Sequence, residues 1–201
     1  MSDPTTILVD PQVERDDADA AAMALYLQLF GDGTIGPHLF GTGEPRFRVH
    51  DAMLRERGIL ALGLHASGHR WVADDEGAHL VDGGPENGIF SPYNGSFRIR
   101  CPDCREMLAP GEDGSESLEE ALAVWCEAPN SAYVVCPSCA SWTPLVDWRS
   151  PGHDFAVGHF AITLYGAHLR GLAGGRDHAD TALRHRLGDL ASDFVLVFAR
   201  A

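Results

Sequence analysis

The pattern of apolar and polar residues in the first part of the chain predicts a strand followed by a helix. Thr5 to Val9 is a short β-branched run, which favours a strand. A helix is predicted from Asp16 or Asp17, both good N-caps, to the glycine at position 31. Three of its apolar residues recur at helical spacing, and we expect them in the core; they are Met23, Leu27 and Phe30.

Beyond this helix, glycine and proline separate several short predicted elements. The stretch from Gly31 to Pro45 is rich in both residue types, so we predict a loop there. The pattern then predicts a strand, a short helix that Gly58 closes, a second strand, and a hairpin with a four-residue turn. Their ranges are 46–50, 51–57 and 59–65, followed by 69–73 and 78–81 for the hairpin strands.

Turn-forming residues crowd the segment from Asp82 to Gly95 and mark a boundary. The chain is therefore divided into an N-terminal α/β part, a central cysteine module and a C-terminal strand-helix-strand; these cover 1–89, 90–148 and 149–201. The C-terminal elements are predicted to begin at Phe160, Asp180 and Phe194. The predicted fold class is α+β, a mixed α/β domain with a central four-cysteine module. If the last strand lies beside the first, the C-terminal part completes the N-terminal sheet.

Two copies of one four-residue motif carry the clearest chemical signal. Each copy follows an extended apolar stretch and reads Cys-Pro-x-Cys, at 101–104 and at 136–139. A tight turn after a strand places both of its sulfurs on one side, and two such turns facing each other complete a tetrahedron of ligands. Four thiolates that fill every coordination position are typical of structural zinc. We predict one zinc ion per chain, with these ligands: Cys101, Cys104, Cys136 and Cys139.

The cysteine module resembles the zinc-ribbon or zinc-knuckle class over about residues 97–148, on the strength of these paired motifs. The resemblance implies a zinc ion that holds the fold and has no open position for catalysis. A strand followed by Cys-Pro-x-Cys also occurs in thioredoxin-like redox proteins. A redox site needs one pair, however, and two copies in matching contexts favour a shared metal ion.

The segment between the two motifs contains a predicted helix with an acidic outer side. A capping box at Ser117 opens the helix, and Pro129 ends it. Leu118, Leu122 and Trp125 lie on one side, while Cys126, near the end, is interpreted as a buried and inert thiol. The acidic residues are Glu112, Asp113, Glu116, Glu119 and Glu120.

Charge and composition narrow the range of partners and reactions. The chain has 29 acidic and 15 basic residues and a net charge of -14, which repels a phosphate backbone, so free nucleic acid is not an expected partner. All 15 basic residues are arginine, which excludes Schiff-base and P-loop-lysine chemistry. No apolar run approaches the ~18 residues of a membrane span, and no secretion signal is recognised. We expect a cytoplasmic protein with reduced thiols and no membrane partner.

Several other patterns favour ordinary structure over chemistry. A GxGxxG match at 31–36 follows a predicted helix, whereas a dinucleotide site needs it after a strand. His65 and His69 are the closest histidine pair, yet their spacing across a strand end does not align two metal ligands. The acidic run 74–76 lacks the alternation of a calcium loop. We therefore assign no catalytic or cofactor-binding residue.

These observations lead to one main functional hypothesis and two alternatives. The main hypothesis is a non-catalytic, zinc-stabilised acidic protein that binds a basic protein partner, of which an immunity protein or toxin inhibitor is an example. The first alternative is a hydrolase or transferase with an unrecognised site in the N-terminal part. The second is a nucleic-acid-binding zinc ribbon, against which the acidic helix argues.

Overall fold

A mixed α+β fold is built around one six-stranded antiparallel sheet in the computed structural model. The structure describes residues 4–40, 46–56, 58–74, 77–84, 88–91, 96–166 and 194–200. The strands are β1 Pro4–Asp10, β2 Ile35–Phe40, β3 Arg46–Val49, β4 Ala61–Ala66, β5 His69–Asp74, β6 Gly77–Asp82, β7 Ile89–Phe90, β8 Ile99–Arg100, β9 Met107–Leu108, β10 Tyr133–Val135, β11 Trp142–Pro144, β12 Ala156–Val157, β13 Phe160–Tyr165 and β14 Val195–Arg200. The helices are α1 Ala18–Gly31, α2 Ala52–Glu56 and α3 Glu116–Glu127. Within these ranges, none of the helices has the length and apolar character needed to cross a membrane.

The large sheet has the strand order β14-β1-β13-β4-β3-β2, so β1 lies between two strands from the other end of the chain. Thr5 is opposite Tyr165 on β13 and opposite Ala199 on β14, and both pairings are antiparallel. The remaining strands form separate two-stranded pairs, β5–β6, β7–β12, β8–β9 and β10–β11. Residues 5–9 therefore have neighbouring strands on both sides. Polar and apolar side chains of β1 are both buried, among them Thr6 and Leu8.

Helix α1 packs on one face of this sheet, but not through the face predicted from spacing. Its buried side chains are Ala18, Ala22, Leu25, Tyr26 and Leu29. Leu27 and Phe30 are 58% and 42% exposed, so the core prediction is wrong for these two residues. Met23 is partly buried and packs against the core. The helix is apolar on almost every side, and its spacing therefore offers more than one apolar stripe. The shape of the sheet, which the pattern does not contain, decides which stripe is buried.

Several predicted boundaries need correction. Strand β2 occupies Ile35–Phe40, inside the predicted glycine-rich loop, and pairs with β3. The GxGxxG segment connects a helix to a strand, which is the reverse of the order in a dinucleotide site. The β5–β6 hairpin is confirmed with Asp74 opposite Gly77, while positions 75 and 76 lie outside the described residues. The predicted helix over 180–187 also lies outside them.

A second apolar core lies beneath the cysteine motifs and includes one side of α3. Leu118 and Trp125 of the helix are buried in it, as predicted. The helix begins at Glu116, two residues after Gly114, so Ser117 lies in its first turn and not at the N-cap. The Ser117 hydroxyl instead accepts a hydrogen bond of 2.7 Å from the backbone N–H of Val135. This bond attaches the start of α3 to the hairpin that carries the second cysteine motif.

Trp71 on β5 provides a test of the main core. Its ring is 5% exposed and contacts the rings of Tyr26 and Phe47, while its Nε1–H donates to the Leu64 carbonyl at 2.7 Å. We expect Trp71→Ala to lower the free energy of unfolding by about 3–5 kcal/mol, because it leaves a large cavity. The exposed Leu27→Ala should change it by no more than about 0.5 kcal/mol. Urea unfolding measures both, and a larger loss for Leu27→Ala would contradict the placement of α1.

Candidate metal centre

The two cysteine motifs form matching turns at the tips of the β8–β9 and β10–β11 hairpins. In the first turn, Cys101 N–H donates to the Glu106 carbonyl, and Arg105 N–H donates to the Cys101 carbonyl. The second turn repeats both bonds, from Cys136 N–H to Ser141 and from Ala140 N–H to Cys136. The common backbone geometry follows from the common Cys-Pro-x-Cys sequence between two extended strands.

Each turn closes on a residue in the left-handed backbone conformation. Arg105 has φ of 68° and Ala140 has φ of 57°, and each directly follows the second cysteine of its motif. A side chain with a Cβ atom is disfavoured there by about 1–2 kcal/mol. The turn tolerates this strain because it redirects the chain from one strand into the next while both sulfurs stay on one side.

The two turns face each other, and all four sulfur atoms lie within 4.8 Å of one another. The Sγ–Sγ distances are 3.5 Å for Cys104 with Cys136 and 3.9 Å for Cys101 with Cys139. A tetrahedral site with metal–sulfur bonds of ~2.3 Å has sulfur–sulfur edges of about 3.8 Å, whereas a disulfide needs about 2.05 Å. The spacing is therefore compatible with a metal site. In the described part of the chain, this is the one group of three or more potential ligand residues placed this closely.

The cysteine side chains differ in burial and in acidity. Cys101 and Cys136 are buried, while Cys104 and Cys139 are exposed. Burial alone would raise the pKa of Cys101, but hydrogen bonds from backbone N–H groups of the turn and from Ser141 bring that pKa down to about 6. The backbone N–H of Glu106 favours the Cys104 thiolate, yet desolvation and the neighbouring sulfurs raise its pKa to about 12. Four thiolates therefore coexist at neutral pH when a cation neutralises them.

Ser141 is a part of the centre that the sequence analysis did not find. Its Oγ lies 3.1 Å from Cys139 Sγ and 3.5 Å from Cys101 Sγ. This hydroxyl is the largest influence on the pKa of Cys139, which it lowers. The sequence does contain a hint, because Ser141 occupies the position that Glu106 has in the first turn. A small hydroxyl residue two positions after a cysteine suits a hydrogen bond to the cysteine sulfur.

Other predicted candidates have structural partners. His69 Nδ1 lies 3.1 Å from the Ser67 carbonyl, and its Nε2 lies 3.4 Å from Asp82. Cys126 is half-buried, where full burial was predicted, and its Sγ donates to the Leu122 carbonyl at 3.5 Å.

Comparison of the chain with models of known protein families, with curated proteins and with solved structures gives no match.

The left-handed residues give a prediction for the turns. We expect Ala140→Gly to raise the free energy of unfolding by about 0.5–1 kcal/mol, since it removes left-handed strain but adds backbone entropy to the unfolded chain. The same substitution at Ala123, exposed in the middle of α3, should lower it by about 1 kcal/mol. Chemical unfolding measures the change in the free energy of unfolding for each variant. A decrease for Ala140→Gly would show that the turn geometry is wrong.

Proposed function

We propose that this protein is a non-catalytic binding protein in which a zinc ion, held by Cys101, Cys104, Cys136 and Cys139, stabilises a surface for a basic protein partner. The convergence of four sulfurs within 4.8 Å is the observation that carries the proposal. Thiolates select soft or borderline metals, and a closed set of four suits structural zinc. All four coordination positions are filled by protein in such a site, so zinc has a structural role and does not activate water.

The β10–β11 hairpin, which carries the second turn, also presents an exposed aromatic face. The rings of Tyr133 and Trp142 stack with centroids 3.8 Å apart. Trp142 is 64% exposed and Val135, its cross-strand neighbour, is 42% exposed. Aromatic side chains of this kind are enriched among the residues that dominate binding energy in protein interfaces. A metal at the hairpin tip would hold this face rigid and so reduce the entropy lost on binding.

Helix α3 contacts strand β10 of this hairpin, and the Ser117 hydroxyl in its first turn accepts from the Val135 amide. The acidic residues of α3 and of the loop before it therefore belong to the same module as the aromatic face. Two of the five predicted acidic residues have structural contacts: Glu112 pairs with Arg98 at 2.7 Å, and Glu119 accepts a bond of 2.8 Å from Gly111 N–H. The other three are exposed; they are Asp113, Glu116 and Glu120. We call the hairpin face and these three acids the hairpin–helix surface.

A basic partner complements the hairpin–helix surface better than nucleic acid does. Arginine or lysine side chains can pair with the acids and also stack over the exposed ring of Trp142. Stacked aromatic rings bind bases as well, but single-stranded nucleic acid also requires a positively charged groove. The chain has a net charge of -14, so its electrostatic field repels the phosphates of nucleic acid. An immunity protein or an inhibitor of a basic toxin would have these properties.

The zinc proposal predicts one zinc ion per chain in protein purified without added metal. Cys136→Ser should reduce the zinc content to near zero and destabilise the second core, because structural zinc contributes on the order of 10 kcal/mol in small zinc modules. Cys126→Ser is the matched control, since this cysteine lies outside the sulfur cluster. Elemental analysis together with thermal unfolding measures both effects.

Two outcomes would count against zinc. One iron ion per chain in the purified protein would show that the four cysteines bind iron and not zinc. Two disulfides with no metal would revive the redox interpretation.

The hairpin–helix surface predicts a charge-dependent association rate. The triple variant Asp113→Asn, Glu116→Gln and Glu120→Gln should associate several-fold more slowly with the basic partner at low salt, because peripheral charges act mainly on the association rate. A second triple variant removes the same charge from the N-terminal part and serves as the control; it carries Asp16→Asn, Asp17→Asn and Glu56→Gln. Glu119 is left intact because it supports the loop before α3.

The partner for this measurement is isolated from the source cells by capture at low salt, and its kinetics are then measured with purified components. Trp142→Ala should increase the dissociation rate of the same complex. Equal association rates for the two triple variants would show that the location of the removed charges does not matter. The hairpin–helix surface would then not be the binding site.

A further inference from the structure

The two cysteine turns share their backbone geometry but differ in one side chain. Cys104 Sγ accepts a hydrogen bond from the backbone N–H of Glu106, and Cys139 Sγ accepts the equivalent bond from the backbone N–H of Ser141. The Ser141 hydroxyl also lies 3.1 Å from Cys139 Sγ, whereas Glu106, at the matching position of the first turn, has no hydroxyl. The second turn therefore offers its outer sulfur a donor that the first turn does not contain.

Burial separates the four sulfurs into two that solvent reaches and two that it does not. Cys101 and Cys136 are 0% and 1% exposed, while Cys104 and Cys139 are both exposed. A small reagent in solution has to approach a sulfur before it can react with it, and exposure therefore selects among thiolates. The first reaction at this cluster is thus restricted to Cys104 or Cys139.

The Ser141 hydroxyl decides between these two exposed sulfurs. In the zinc site proposed above all four cysteines are thiolates, so the degree of ionisation does not distinguish them. A hydroxyl that donates to a thiolate stabilises the charge on sulfur, and a sulfur stabilised in this way is a weaker nucleophile. Cys101 Sγ is farther from this hydroxyl, at 3.5 Å, so the bond to Cys139 is favoured. Cys104 remains as the more reactive of the two.

A second sulfur lies within reach of Cys104 to complete an oxidation. Cys136 Sγ is 3.5 Å from Cys104 Sγ, and it is buried, so reagents in solvent reach it only through its neighbour. A cysteine that has been oxidised to a sulfenic acid condenses with an adjacent thiol to form a disulfide. The two sulfurs would approach to about 2.05 Å in that bond. Such a disulfide would join the first turn to the second.

We propose that Cys104 is the site at which a peroxide oxidises this protein, and that Cys136 closes a disulfide with it. The Cys104 thiolate attacks one oxygen of hydrogen peroxide, the O–O bond breaks, and the departing hydroxide is protonated to water. The Cys136 thiolate then attacks the sulfenic sulfur, the S–S bond forms, and a second hydroxide leaves and is protonated. Each sulfur gives up one electron, and one peroxide becomes two waters. The inference rests on the zinc site of the proposed function.

Limited alkylation of the zinc-loaded protein with iodoacetamide, a small neutral electrophile, shows which sulfur reacts first. Peptide mass spectrometry should find Cys104 modified several-fold faster than Cys139. Ser141→Ala should raise the rate at Cys139 several-fold, because it removes the donor, and leave the rate at Cys104 unchanged. Glu106→Ser gives the first turn the missing hydroxyl and should slow the reaction of Cys104. Glu106→Gln is the matched control, which removes the same charge without adding a hydroxyl and should not slow it.

One equivalent of hydrogen peroxide tests the second step on the same protein. We expect a disulfide between Cys104 and Cys136 in the peptide map, together with release of zinc, because two of its four ligands are consumed. Faster modification of Cys139 than of Cys104 in the unsubstituted protein would overturn the assignment of the reactive sulfur. A disulfide between Cys101 and Cys104, or between Cys101 and Cys139, would overturn the role of Cys136.

The zinc content is measured before either reagent is added, which separates this inference from the proposed function. Zinc-loaded protein that reacts first at Cys139 would overturn the inference and leave the metal site in place. Protein that contains no metal would overturn both. An unchanged rate at Cys139 in Ser141→Ala that still holds one zinc would show that the hydroxyl does not protect that sulfur, and would also overturn the inference.

Discussion

Mutual repulsion of thiolates is the constraint around which the central part of the chain is organised. Four sulfurs within 4.8 Å cannot all be ionised without a compensating charge, and the opposed pKa values of Cys101 and Cys104 express that conflict. Without a cation, protonation of some of the sulfurs relieves this repulsion. A bound cation would offset it with all four ionised, and would also hold together the two hairpins on either side of α3.

The same constraint connects the metal centre to the surface beside it. The β10–β11 hairpin carries ligand positions at its tip and aromatic side chains on its strands. Its edge is attached to α3 through the Ser117 hydroxyl and the Val135 amide. The sulfur cluster, the hairpin and the helix are thus joined by direct contacts.

Features that depend on neighbouring residues in the chain could be predicted from the sequence. The choice of which side chains are buried could not, because it depends on residues distant in the chain. Strand β1 follows from β-branched residues between turn formers, and the facing of the two cysteine turns follows from ligand number. The buried stripe of α1 could not be predicted, because Leu27 is as apolar as Leu25 and only the sheet distinguishes them. The contact between Ser141 and Cys101 joins residues 40 positions apart, and spacing does not predict it.

Because β1 lies between β13 and β14 in the large sheet, it is synthesised long before either of its partner strands. Thr5 pairs with Tyr165, 160 positions later, and β14 is made later still. At ~5–20 residues per second, β1 waits roughly 10–30 s for its first partner strand. During that interval a β-branched segment with two open edges is available for wrong pairing. The cysteine hairpins, by contrast, are complete before β13 emerges, so the four sulfurs can come together before the large sheet is closed.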